Sequence, residues 1–124
     1  MRWSTVPGWA ELVEAGVWSP GDAVALARSG LAGQMVRVLV EMIDLPAAAA
    51  LSRAAAVLAR LDELAVPGAR LLHGEGAAAW PLVTEAGRRN LATRIGLEDT
   101  LLGPDGRPAS GNAALVREAA RRTG

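Results

Sequence analysis

Apolar residues along the chain follow two alternating patterns. Some form short runs without helical spacing, and others recur every three or four residues over longer stretches. The first run, Leu12 to Trp18, ends in Ala-Gly-Val-Trp and predicts a strand. Ser19, Pro20 and Asp22 follow it, residues suited to a helix cap, the first helical position and the first turn. A helix to about Ala27, ended by Gly30, is expected. Val36 to Met42 is rich in Val and predicts a buried strand. Asp44 is the expected cap of the next helix, with Pro46 near its start. Leu51, Ala55, Leu58 and Leu61 mark one face of that helix, and Arg53 and Arg60 another. Ala69 to His73 is the third run, ending in Gly74-Glu75-Gly76, and a helix from Ala78 to Arg89 follows. Ala92 to Glu98 is the fourth run. After the Gly103-Pro104-Asp105-Gly106 turn signal comes a last helix, Asn112 to Arg122.

The order βαβαβαβα predicts an α/β fold with four parallel strands in sequence order, joined by right-handed crossovers with the helices on one side. Two architectures fit: a small open sheet, or half of a (β/α)8 barrel, since a whole barrel takes about 250 residues. No linker-like composition divides the chain, so a single domain over residues 1–124 is expected. Residues 1–10 form an atypical start and residues 11–124 carry the βα units. A half-barrel would expose two sheet edges and one sheet face, bearing Val38, Val40 and Leu72 or their neighbours according to register. A homo-oligomer, or a complex with a complementary chain, is the expected soluble form.

Composition narrows the function classes. The 13 basic residues are all arginine and balance 13 acidic ones, so no field draws in nucleic acid or an anionic membrane. Cysteine is absent, which excludes disulfides and thiolate metal sites and suits a cytoplasmic protein. Leu45 to Leu64, the longest Ala/Leu-rich stretch, is broken by Arg53, Arg60, Asp62 and Glu63, and the start lacks the pattern of a signal peptide. Phe and Tyr are absent, so the core is expected to be built from Leu, Val and Ala.

Sites in parallel α/β proteins gather at the C-terminal ends of strands. The polar residues concentrate there: Glu14 and Trp18, then Glu41, then His73 and Glu75, then Arg94, Glu98 and Asp99. In His73-Gly74-Glu75-Gly76 the glycines permit a tight turn, backbone N–H groups before the helix suit an anion, and His73 suits a metal or a proton. A glycine-rich turn with an internally bonded histidine explains the same residues. Arg94, Gly96 and Glu98 would share one face of a strand, with Gly96 leaving room for a ligand or a neighbour. A buried arginine and carboxylate must pair or bind something. Glu41 and Glu14 read as polar strand ends facing solvent, and Trp80 as a packing residue.

Leu71 to Gly76, Trp80-Pro81, Thr93 to Leu101 and Asn112 to Val116 together resemble the last strands of the β-keto acid cleavage enzymes. The type member of that family acts on 3-keto-5-aminohexanoate. Glu14 to Trp18 and Val38 to Glu41 resemble the family's strands five and six. The resemblance covers nearly all of the chain beyond residue 11, so residues 11–124 correspond to strands five to eight, the C-terminal half of a (β/α)8 TIM barrel.

The resemblance implies an acyltransferase that joins a β-keto acid and acetyl-CoA and releases acetoacetate and a new CoA thioester. It implies zinc, held by a His-x-His pair from the N-terminal half and by a late glutamate that Glu98 matches. Arg94 and Asp99 match the polar pair implicated in activating the substrate or a water. His73 and Glu75 are possible additional ligands. The His-x-His pair has no counterpart, because His73 is the only histidine. The likeness thus implies a truncated homologue whose site is incomplete alone. The alternative is a non-catalytic half-barrel that self-associates or complements a separate N-terminal half. A small metal- or phosphate-binding module at the His73–Glu75 loop is a third reading.

Overall fold

Period-two alternation decides the sheet. In Met35–Ile43, here β3, Val38, Val40 and Met42 point one way and Arg37, Leu39, Glu41 and Ile43 the other. The computed structural model describes residues 1–6 and 9–123. Its strands are β1 (Arg2–Val6), β2 (Trp9–Val17), β3, and β4 (Ala69–Glu75), and its α-helices are α1 (Pro20–Arg28), α2 (Ala47–Glu63), α3 (Ala79–Arg89) and α4 (Asn112–Thr123). The four strands form one sheet in the order β1-β2-β3-β4. β2, β3 and β4 run parallel, as the crossover helices require.

One face of the sheet carries the core. Ala15, Val17, Val38, Val40, Met42 and Leu72 are buried there. From the helices, Leu26 of α1, Val57 and Leu61 of α2, and Leu82 and Ala86 of α3 pack against them. Each fully buried Val or Leu contributes about 1.5–3 kcal/mol relative to exposure. The helices whose residues enter this core lie on one side, as expected. The Leu/Val/Ala composition does build it, without a single Phe or Tyr. Val38, Val40 and Leu72 are on this covered face. Their neighbours Arg37, Leu39, Glu41, Leu71 and His73 form the other face, which is largely polar.

Capping largely follows the sequence. The Ser19 hydroxyl accepts the Asp22 N–H at 3.2 Å, and Gly30 takes φ +79° just beyond α1. Asp44 does not cap α2. It sits at φ 53° at the end of β3, its N–H donating to Glu75 O at 3.3 Å, while Pro46 occupies the cap position with no side-chain bond.

Two expectations about the sheet are corrected. It is not parallel throughout, because β1 pairs with β2 antiparallel, Arg2 opposite Gly16 and Ser4 opposite Glu14. Within the atypical start, residues 1–10, Arg2–Val6 supply an edge strand, and Pro7 and Gly8 lie outside the described residues. Nor is Ala92 to Glu98 a strand. Ala92 alone bridges to Leu71, with Leu72 N–H donating to Ala92 O at 2.9 Å. Beyond it the backbone groups are used elsewhere. Gly96 O accepts from the N–H of Asp99 and of Thr100, closing a turn, and the Leu97 N–H goes to Asn112 Oδ1 at 2.8 Å. A side-chain acceptor has displaced the ladder. Arg94, Gly96 and Glu98 thus do not share a strand face.

Candidate active site

The polar face gathers its charges at the C-terminal end of the sheet. Glu41, at the seventh position of β3, is buried although it is a carboxylate, 2% exposed. It is not a solvent-facing strand end, because three donors converge on it. Arg2 Nη2 and His73 Nε2 approach Oε1, the latter at 3.2 Å, and Trp18 Nε1 donates to Oε2 at 2.6 Å. The space comes from Gly16 on β2, where an added Cβ would lie 2.8 Å from Glu41 Oε2. Burial works to raise the Glu41 pKa. The hydrogen bonds from His73 and Trp18 and the Arg2 charge outweigh it, so the carboxyl is held below its usual range.

His73, opposite Glu41 on β4, is 1% exposed. Its Nδ1 faces Asp99 Oδ1 at 3.9 Å. Asp99 is 4% exposed, and Arg94 Nη2 stands 3.7 Å from the same Oδ1. Neither Asp99 carboxyl oxygen has a hydrogen-bond partner, and neither does His73 Nδ1. Burial pushes the Asp99 pKa up, and Arg94 and His73 only partly offset it. The backbone holds this residue in place, since Gly76 N–H donates to Asp99 O at 2.7 Å and ties the turn after Gly96 to the end of β4.

Of the residues the sequence points to, Glu75, Glu98 and Asp99 line one cleft of about 670 Å³, which Leu97 and Leu101 flank. His73 sits beside Asp99 and Arg94 reaches it from the Thr93–Ile95 side. Glu98 itself is exposed. Its carboxylate lies over Gly96, where a Cβ would meet Oε2 at 2.5 Å, so the room left by that glycine is filled by Glu98. Glu14 is not at the cluster; it pairs with Arg37 across β2 and β3. Trp80 does pack, donating to Leu102 O at 2.9 Å beneath Arg122. Sequence reasoning missed Glu41 as the partner of His73, and Arg2 and Trp18 as the other donors to Glu41.

Among the described residues, no group of three His, Cys, Asp or Glu is arranged to hold a metal ion. A catalytic zinc generally takes three protein ligands. Glu98 is turned onto Gly96 and His73 Nε2 is engaged with Glu41, so the donors of this chain do not by themselves fit a zinc site. No helix among the described residues is long and apolar enough to cross a membrane.

A family model described as beta-keto acid cleavage enzyme matches residues 15–123, nearly the whole described chain. No curated protein matches.

Proposed function

Since the chain belongs to the β-keto acid cleavage enzyme family, we propose that it supplies one wall of an acyl-transfer site that takes a β-keto acid and acetyl-CoA and releases acetoacetate and a new CoA thioester. The parallel β2-β3-β4 order, with helices on one face and charges on the other, supports reading the sheet as part of a (β/α)8 barrel with its polar face inward. The antiparallel β1 is the element that this reading does not require.

The observation that carries the proposal is Asp99, a buried carboxyl with both oxygens unpartnered, between Arg94 and His73. Burial raises the Asp99 pKa, which makes its carboxylate a better proton acceptor than an ordinary aspartate. Asp99 takes the proton from the carbon beside the keto group, and the electron pair stays behind as an enolate. Arg94, its side chain exposed, holds the substrate carboxylate or the developing oxyanion by charge-assisted bonds. Zinc belongs to this reading only through the family likeness. Glu98 would be one ligand, the histidine pair would come from polypeptide beyond these residues, and no step here runs through the metal. The partner carrying that pair is a complementary chain or segment.

The test supplies acetyl-CoA and a panel of β-keto acids to the chain alone and to the chain joined by a polypeptide bearing the His-x-His pair. Acetoacetate and the new thioester are measured. Turnover is expected only in the joined form, and Asp99→Asn should lower its kcat by about 100-fold or more, the usual scale of a lost general base. Retention of full activity in Asp99→Asn would remove Asp99 from the chemistry.

A further inference from the structure

β1 lies on the edge of the sheet that a closed barrel would use. In such a barrel every strand runs parallel to a neighbour on each side. β2 has β3 as its parallel neighbour on one side. On the other side lies β1, running the opposite way, with Arg2 facing Gly16, Trp3 facing Ala15 and Ser4 facing Glu14. Adjacent strands sit about 4.8 Å apart, so a second strand cannot share that edge with β1. The strand is also lightly held. Arg2, Trp3 and Ser4 are exposed, whereas Ala15, Gly16 and Val17 of β2 are buried. The β1–β2 register holds from Arg2 to Thr5 and shifts before Val6. The guanidinium of Arg2 is anchored on Glu41, but the Arg2 side chain is 52% exposed, and an ion pair with one partner in solvent contributes little. Met1 packs partly against the core, its ammonium 3.6 Å from Asp22. By contrast, β3 buries Val38, Leu39, Val40, Glu41 and Met42 in succession. Elements with few buried side chains are the first to open locally.

We propose that β1 is an exchangeable cover: it closes the β2 edge while the chain stands alone, and it is displaced when a complementary polypeptide adds a strand parallel to β2. This rests on the reading of the sheet as part of a (β/α)8 barrel. The partner is then the polypeptide that supplies the preceding strands of the barrel, and its last strand is the one that meets β2. The parallel β2-β3-β4 order fixes the direction of that strand. A bare β2 edge would present unpaired N–H and C=O groups, a template for unwanted pairing, and β1 satisfies them until the partner arrives. When β1 leaves, Arg2 leaves Glu41, and the carboxylate keeps His73 and Trp18 as donors. The partner thus binds only the fraction of chains whose β1 has opened, and its apparent affinity is reduced by that fraction.

The probe is the N-terminal half, strands one to four, of a β-keto acid cleavage enzyme, titrated against the full chain and followed by sedimentation. The chain has no cysteine, so Ser4→Cys with Glu14→Cys introduces a single pair, on facing residues of β1 and β2. Facing Cα atoms of antiparallel strands are about 4.5–5.5 Å apart, within disulfide reach. The reduced and oxidised forms of this double variant differ in whether β1 can leave. The reduced form should bind the half-barrel, and the oxidised form at least about 10-fold more weakly. Equal binding by both overturns the proposal and leaves the barrel reading standing. Binding by neither, nor by the unsubstituted chain, sinks the barrel reading and the proposal with it. Arg2→Ala tests the sign. Freeing β1 should tighten binding by about twofold to fivefold; unchanged or weaker binding would show that β1 does not compete for the edge, and overturns the proposal. Amide hydrogen exchange on the unsubstituted full chain needs neither partner nor variant. The β1 amides should exchange at least about 10-fold faster than those of the β3–β4 ladder, and equal protection would refute an exchangeable β1.

Discussion

Replacing Gly16 by Ala places a methyl carbon where the Glu41 carboxylate lies, 2.8 Å from Oε2 and 3.3 Å from Cδ. The backbone at Gly16 is outside the left-handed region, so conformation adds nothing to the cost. Ala in a strand is ordinarily better than Gly by about 0.5–1 kcal/mol. Against that stands overpacking, about 1–3 kcal/mol where the neighbour cannot yield. Glu41 is poorly placed to yield, since Arg2, Trp18 and His73 hold it on both oxygens. The net expectation for Gly16→Ala is a loss of roughly 0–2.5 kcal/mol, taking the difference of those two ranges. In a Glu41→Ala background the carboxylate is gone, and the same change should be neutral or stabilising by up to about 1 kcal/mol. The coupling between the two sites is then about 1–3 kcal/mol, the overpacking term itself. Urea unfolding followed by tryptophan fluorescence and far-ultraviolet circular dichroism, with unchanged m-values, measures all four corners of this cycle. A Gly16→Ala cost that is the same in both backgrounds, within about 0.5 kcal/mol, would refute the claim that Gly16 exists to seat Glu41.

Asp99→Asn should stabilise the chain at neutral pH by about 1 kcal/mol, since a buried carboxylate without hydrogen-bond partners, only partly offset by Arg94, is replaced by a neutral side chain of the same shape. The Asp99 pKa is raised on folding, so its destabilising effect is absent at low pH, where both states are protonated. It grows as pH rises from the ordinary aspartate range through the folded value. The gain in Tm should therefore shrink on acidification, and a pH-independent gain, or a loss, would contradict it. Gly87→Ala should loosen α4 from α3, because its Cβ would lie 2.8 Å from Arg122 O and 2.9 Å from Thr123 Cα, backbone atoms that cannot step aside. A stability loss of about 1–3 kcal/mol and faster tryptic cleavage after Arg121 and Arg122 are expected; an unchanged cleavage rate would show that the helices do not meet there.

Much of the element pattern was legible because it depends on local chemistry. Val36 to Met42 and Ala69 to His73 lie within β3 and β4, and Ser19-Pro20 marks the start of α1. The fourth run failed because an Asn fifteen positions further on accepts the Leu97 N–H, which a local reading of Ala92 to Glu98 does not contain. β1 left a trace in its β-forming Trp3, Thr5 and Val6 and in the Pro7-Gly8 turn signal, but nothing in those residues states which strand they join. For the candidate site, the cluster of polar strand ends pointed to His73, Arg94 and Asp99. It did not show that Glu41 is buried. That depends on a glycine on one neighbouring strand, a histidine on the other, and an arginine thirty-nine positions away.

The strict alternation along β3 makes insertions and deletions a different hazard from point changes. Substituting Leu39 or Arg37 alters one side chain on one face. Removing a single residue between Val36 and Val40 would rotate every later position of the strand by half a turn. The Glu41 carboxylate would then lie between the sheet and α2, among Val57 and Leu61, while Val40 and Met42 would turn toward His73 and Arg2. Core and polar cluster would fail together, although no residue of either had been replaced. The core row Val38, Val40 and Met42 and the Glu41 contacts thus depend on the count of residues within β3 as much as on their identity.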